Sequence, residues 1–142
     1  MDLNVNLFSD SIKSQSIGHL SQDMIDFILS KKPNFAGRIS TDKEILFWAA
    51  RVKHTERHRK DFNSDAEFEQ CLKDIPNIIQ NPDYISIHPT DESVSFIKKY
   101  TKHISVAIKI STDGKLVYRT MYPLRDSQLN DYIKNNRAWK YS

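Results

Sequence analysis

Asp113-Gly114 lies between two runs of alternating apolar residues, His103–Thr112 and Lys115–Leu124. No other stretch constrains the fold as tightly. Asp-Gly supplies the positive φ that a two-residue type I′ hairpin needs, and side chains alternate across a strand with period two. With Thr112 facing Lys115, Ile110 pairs with Val117, Ile108 with Arg119 and Val106 with Met121. That face is apolar apart from Arg119 and should pack on helices. The opposite face pairs Lys109 with Tyr118, Ala107 with Thr120 and Ser105 with Tyr122. An amine, hydroxyls and two phenols then line one surface. This surface is either the solvated side of an ordinary antiparallel sheet or a polar floor that binds a nucleic-acid backbone. A slip of one residue would invert the assignment.

The strand-like pattern begins at residue 84, with Tyr84–Ile87 and Ser93–Tyr100 as further strands broken by His88-Pro89-Thr90-Asp91. Upstream the periodicity is helical. Ser21 caps a helix carrying Met24, Ile25, Ile28 and Leu29. Thr41-Asp-Lys-Glu44 reads as a capping box opening a second helix through Ile45, Leu46, Trp48 and Ala49, which runs on toward residue 58 or breaks near Val52. Ser64-Asp-Ala-Glu67 opens a third, with Phe68, Cys71, Leu72 and Ile75 inward. Asp126–Asn136 forms a short helix near the C-terminus. Helices followed by an antiparallel meander predict an α+β fold, with N-terminal helices packed on a four-stranded antiparallel sheet. The 142 residues fit a single domain: 1–40 an accessory helical segment, 41–124 the core, 125–142 a C-terminal helix and tail.

Composition narrows the function classes. Net charge is +3 and the isoelectric point is about 8.9, which suits a phosphate-bearing partner. One cysteine, Cys71, excludes an intramolecular disulfide framework, fits a reducing compartment and reads as a buried structural thiol. There is no apolar run of the ~20 residues a membrane span requires, and no signal-peptide pattern at the start. These features predict a cytoplasmic site of action, with any delivery left to machinery that the sequence itself does not encode.

The chemistry concentrates in Arg51-Val-Lys-His-Thr-Glu-Arg-His-Arg-Lys60. On a helix, His54, Arg57 and His58 share a face because positions three and four apart are neighbours. Two imidazoles and a guanidinium move protons and hold phosphate; the same run is also what a basic solvated face looks like. A zinc-protease reading fails because Thr55 stands where a glutamate is needed, no further Cys/His pair completes a site, and Arg57 opposes a cation. No cofactor or metal is expected. His19, His88 and His103 read as surface histidines.

The order of these features resembles the phage-associated barnase–EndoU–colicin–RelE-like nuclease family. The resemblance covers residues 45–124. It is carried by the His54-Thr-Glu-Arg-His58 helix, by Ile75-Pro-Asn-Ile-Ile-Gln-Asn-Pro-Asp83, by the Ile108-Lys109-Ile110 step and by Arg119-Thr-Met-Tyr-Pro123. It implies a metal-independent endoribonuclease of a phage, mobile-element or toxin system. Such an enzyme cleaves RNA by attack of a 2′-hydroxyl to leave a 2′,3′-cyclic phosphate. His54, His58, Thr120 and Tyr122 become the catalytic candidates. Arg57, Lys109, Arg119, Tyr84 and Tyr118 become substrate-binding candidates, the tyrosines and Trp139 as stacking platforms. Transfer or messenger RNA is the implied partner, with an antitoxin or immunity protein as a second. The alternative is a non-catalytic module of a mobile element that binds nucleic acid or protein through the same basic face. One geometric condition governs the single-site reading. The polar residues of the hairpin point away from the apolar face, so the histidine helix must reach the edge of the sheet or curl round its end.

Overall fold

The computed structural model describes residues 1–142. It contains a seven-stranded mixed sheet in the order β1-β2-β6-β5-β4-β3-β7 and five α-helices. The strands are β1 (Ser14–His19), β2 (Glu44–Trp48), β3 (Tyr84–Ile87), β4 (Ser93–Lys99), β5 (His103–Ile110), β6 (Leu116–Leu124) and β7 (Ala138–Lys140). The helices are α1 (Gln22–Lys31), α2 (Ala50–Glu56), α3 (Asp65–Lys73), α4 (Ile75–Gln80) and α5 (Asp126–Lys134). The expected α+β class holds and β3 to β6 form the antiparallel meander. The expected four-stranded sheet does not, because three further strands extend it on both sides.

Two of those strands lie where helix was expected. Residues 1–40 are not wholly helical: they supply β1 ahead of α1, whose N-terminus is capped by Ser21 Oγ accepting from the Met24 amide. The Thr41–Glu44 capping-box pattern opens no helix; Glu44–Trp48 is the strand β2. Ile45 and Phe47 are buried while Glu44 and Trp48 are exposed, which is the period-two burial of a strand. Pairing with β1 on one side and parallel with β6 on the other overrides the local helical signal. The C-terminal tail turns after α5 and pairs with β3 as β7.

The β5–β6 hairpin closes through three residues rather than two. The Ser111 amide donates to the Lys115 carbonyl at 3.0 Å, and Gly114 adopts φ +83 at the third loop position. The register therefore shifts near the turn: Ile110 faces Leu116, Lys109 faces Val117 and Ile108 faces Tyr118. A bulge at Arg119 absorbs the offset. Beyond it Ala107 faces Thr120, Val106 faces Met121 and Ser105 faces Tyr122, as expected. The physical gain is clear. Without the bulge the register set by the loop would carry Thr120 and Tyr122 onto the apolar face, opposite Val106 and Ile104, and Met121 onto the polar one. With it, Met121 keeps its buried place.

The main core is a cluster of 28 buried residues reaching from Leu3 to Met121. It unites the apolar face of the sheet with Met24, Ile28, Phe68, Leu72, Ile75 and Ile79 of the helices. Cys71 belongs to it, and burial pushes its thiol up to about 12. A smaller cluster of Ile97, Leu124, Leu129 and Ala138 lies on the other face, where α5 covers one end of the sheet. No helix is long and apolar enough to cross a membrane.

Candidate active site

The placement of α2 follows from where β2 stops. β2 pairs with β6 only at Ile45–Leu116 and Leu46–Val117. The chain then turns at Ala49 into α2, which packs beside the remainder of β6. The Arg51 guanidinium donates from Nε to the carbonyl of bulge residue Arg119 at 2.9 Å, and from Nη2 to the same oxygen. One turn on, Thr55 Oγ1 donates to the Arg51 carbonyl and lies 2.7 Å from the Tyr118 hydroxyl. The helix is thus fastened to the part of β6 that β2 leaves unpaired. Arg51→Ala is expected to cost about 2 kcal/mol of stability in urea unfolding, since it leaves a part-buried carbonyl without its charged donor.

α2 ends at Glu56, so His54, Arg57 and His58 do not share one continuous helix. His54 occupies its last turn, Arg57 is the C-cap and His58 follows in the next turn. The imidazoles nonetheless stay together, with ring centroids 6.1 Å apart. His58 in turn lies 5.8 Å from the ring of Tyr122. Behind it Asp61 Oδ2 sits 3.2 Å from Nδ1, fixing the ring's orientation. Burial, and then the cations of Arg51, Arg57, His58 and Arg119, hold the His54 pKa below that of an ordinary histidine. The Tyr122 phenol is raised, first by burial and then by Tyr132 beside it. Arg57 itself is exposed.

On the polar face the register brings together a row of small side chains. Ala138 lies beside Ser86, Ser86 beside Ser95, Ser95 beside Ala107, and Ala107 beside Thr120. Their shortness leaves a cavity of about 290 Å³ walled by Tyr122, Tyr132, Arg119, Arg137 and His88. Thr120 Oγ1 is buried there without a hydrogen-bond partner. A second concavity, at His58, Asp61 and Arg125, shares Tyr122 with it. Tyr122 therefore stands between His58 and the polar floor, while His54 lies behind His58 and lines neither concavity.

Not every expected residue joins this arrangement. Tyr118 is 1% exposed and belongs to the core, stacked on Phe47 at 4.2 Å between centroids. It has no surface to offer a base; the three-residue loop and the bulge moved it from the polar to the apolar face. Tyr84 packs against the cluster under α5, with its ring 6.0 Å from His103. Trp139 lies edge-on to Phe27 of α1, with Lys31 over its ring. Lys109 is on the polar face but is held by Asp91, 3.2 Å from Oδ1. Arg119 binds the same carboxylate at 3.2 Å. Although desolvation pushes the Asp91 pKa up, the Lys109 hydrogen bond and the Arg119 charge bring it below the ordinary range.

Among the residues of the site that the sequence did not single out, His88, Asp91 and Arg137 carry the most chemistry. Each reaches the cavity from a turn or chain end. The small-residue row would have pointed to a cavity, but only once the register was known. His103, beside Asp126 at 3.3 Å, stays outside both concavities.

A model of the family described as phage-Barnase-EndoU-ColicinE5/D-RelE like nuclease3 matches residues 29–131. That span takes in α2, the bulged hairpin and the whole meander, and omits β1 and β7. No curated protein and no solved structure matches the chain. With the greater part of its length matched, and the histidine turn and β6 both inside that span, the chain belongs to this family of nuclease-like proteins.

Proposed function

We propose that the protein is a metal-independent endoribonuclease. The observation that carries this reading is the line of His54, His58 and Tyr122, with ring centroids 6.1 and 5.8 Å apart along one edge of the sheet. Two imidazoles of unlike environment beside a protonated phenol suit a reaction in which one proton is taken and another given. His54, surrounded by cations, favours its neutral form and acts as base on the RNA 2′-hydroxyl. The 2′-oxygen attacks phosphorus, the P–O5′ bond breaks, and His58, held by Asp61, gives its proton to the leaving 5′-oxygen. The products are a 2′,3′-cyclic phosphate and a 5′-hydroxyl. Tyr122 and Thr120 donate hydrogen bonds to the phosphoryl oxygens, while Arg57 and Arg119 stabilise the charge that gathers there. Lys109 acts through Asp91, which positions Arg119.

The phage term in the family description favours a toxin-type RNase of a phage or mobile element, acting in the cytoplasm on transfer or messenger RNA and checked by an antitoxin or immunity protein. The direct test is an RNA oligonucleotide with single 2′-deoxy substitutions. Cleavage should vanish at each substituted linkage and persist elsewhere. Cleavage that continues at a deoxy linkage would exclude 2′-hydroxyl attack.

The lowered His54 pKa gives a pH signature. A base must be neutral to act, so kcat/KM rises with pH through the His54 pKa, and this acid limb should lie below the ~6.5 of an ordinary histidine. Arg57→Gln removes one of the cations that lower it, so the limb should move to higher pH as the maximal rate falls. A limb that stays in place in the pH–rate profile would remove His54 from the base role.

A further inference from the structure

The cavity beyond Tyr122 holds more donors than the cleavage step uses. Arg137 Nε is buried without a hydrogen-bond partner, and the Arg137 guanidinium stacks over the Tyr132 ring, 4.3 Å from its centroid. The Ile87 amide donates to the Arg137 carbonyl at 2.8 Å, which fixes Arg137 next to the residue before His88. His88 Nδ1 accepts from the amides of Thr90 and Asp91 at 3.2 and 2.9 Å. In the neutral ring its proton therefore sits on Nε2, making that nitrogen a donor. Arg119 and Thr120, which serve the scissile phosphate, border the cavity on that side, and Arg137 and His88 are the donors left over. The one carboxylate of the cavity, Asp91, is already paired with Lys109 and Arg119, which leaves the Arg137 guanidinium without an acidic partner. The two non-glycine residues with left-handed backbone, Glu92 at φ 44 and Asn136 at φ 57, adjoin Asp91 and Arg137. Asn136 closes α5 in a Schellman motif, its amide donating to the Ile133 carbonyl at 3.2 Å and the Arg137 amide to the Tyr132 carbonyl at 2.8 Å, which sets Arg137 in place beside the cavity.

A planar guanidinium with an unpartnered Nε–H and an imidazole N–H lining one cavity suit the oxygens of a phosphate group. We propose that this cavity is a second phosphate subsite, which takes the phosphodiester next to the scissile one and makes a strand of two or more linkages the preferred substrate. The proposal rests on the RNA-cleaving reading, since it places the scissile phosphate between the histidines and Tyr122. Arg137, in the turn between α5 and β7, lies outside the matched residues 29–131.

The test uses the full chain and a trinucleotide whose 2′-hydroxyls are all replaced by hydrogen. It carries two phosphodiesters and resists 2′ attack. In the native protein the NMR signal of the Arg137 Nε–H should shift on titration. Arg137→Gln should weaken trinucleotide binding about tenfold, the loss of one charge-assisted hydrogen bond, and should weaken binding of the corresponding dinucleotide much less. An Arg137 signal that does not move, or equal trinucleotide affinity in the variant, overturns the subsite. Inorganic phosphate that shifts Arg137 where the trinucleotide does not also overturns it, by assigning the cavity to a free anion. Arg137-dependent trinucleotide binding by a protein that never cleaves RNA would uphold the subsite and remove the nuclease reading.

Discussion

His54→Ala is expected to lower RNA cleavage by ~100- to 10,000-fold, the usual contribution of a positioned acid–base group. The loss should fall on kcat more than on KM, because the base acts in the transition state. The fold should survive. The Arg51 bonds to Arg119 and the Thr55 contact with Tyr118, which dock α2, do not involve the imidazole. Tyr122→Phe should also lower kcat, by removing a donor held protonated by its burial. A non-catalytic binding module makes the opposite forecast: salt-sensitive binding unaffected by replacing both imidazoles with glutamine. Retained cleavage in His54→Ala and Tyr122→Phe, with thermal midpoints unchanged, would sink the acid–base account.

Tyr118→Ala is expected to destabilise the fold by ~3–5 kcal/mol, the cost of deleting a large buried aromatic. The residue is stacked on Phe47 inside the main cluster, and such pairs contribute about 0.5–1.5 kcal/mol beyond simple burial. Tyr118→Phe should cost only about 0.5–1.5 kcal/mol, because Thr55 keeps its bond to the Arg51 carbonyl. Urea unfolding of both variants measures these values. Should Tyr118→Ala instead lose RNA affinity while keeping full stability, Tyr118 would return to the role of a stacking platform.

The contrast between His54 and Tyr118 shows what sequence pattern can reach. The meander was legible because β3 to β6 have strong local signals: alternation, Asp-Gly, and breakers at residues 88–91. Pairings far from the turn, such as Ser105 with Tyr122, came out as expected because the bulge at Arg119 cancels the extra loop residue. Neither irregularity alone is written in the pattern. A three-residue loop and a two-residue loop share the same Asp-Gly, and the charge of Arg119 hints at a bulge only when the core face is known. Glu44–Trp48 was misread since a capping box is a local signal, whereas β2 exists through pairing with β1 and β6. The same holds for the missed half of the site. His88 and Arg137 are separated along the chain and join through β3–β7 pairing, a tertiary fact.

The central claim is that the histidine turn after β2 and the end of β6 form one metal-free site for RNA cleavage. Incubating the purified protein with total RNA in excess chelator, and mapping the product ends, tests it most directly. The account predicts 2′,3′-cyclic phosphate and 5′-hydroxyl ends from the native protein and none from His54→Ala. Cleavage that stops in chelator, or that leaves 5′-phosphate ends, would contradict it.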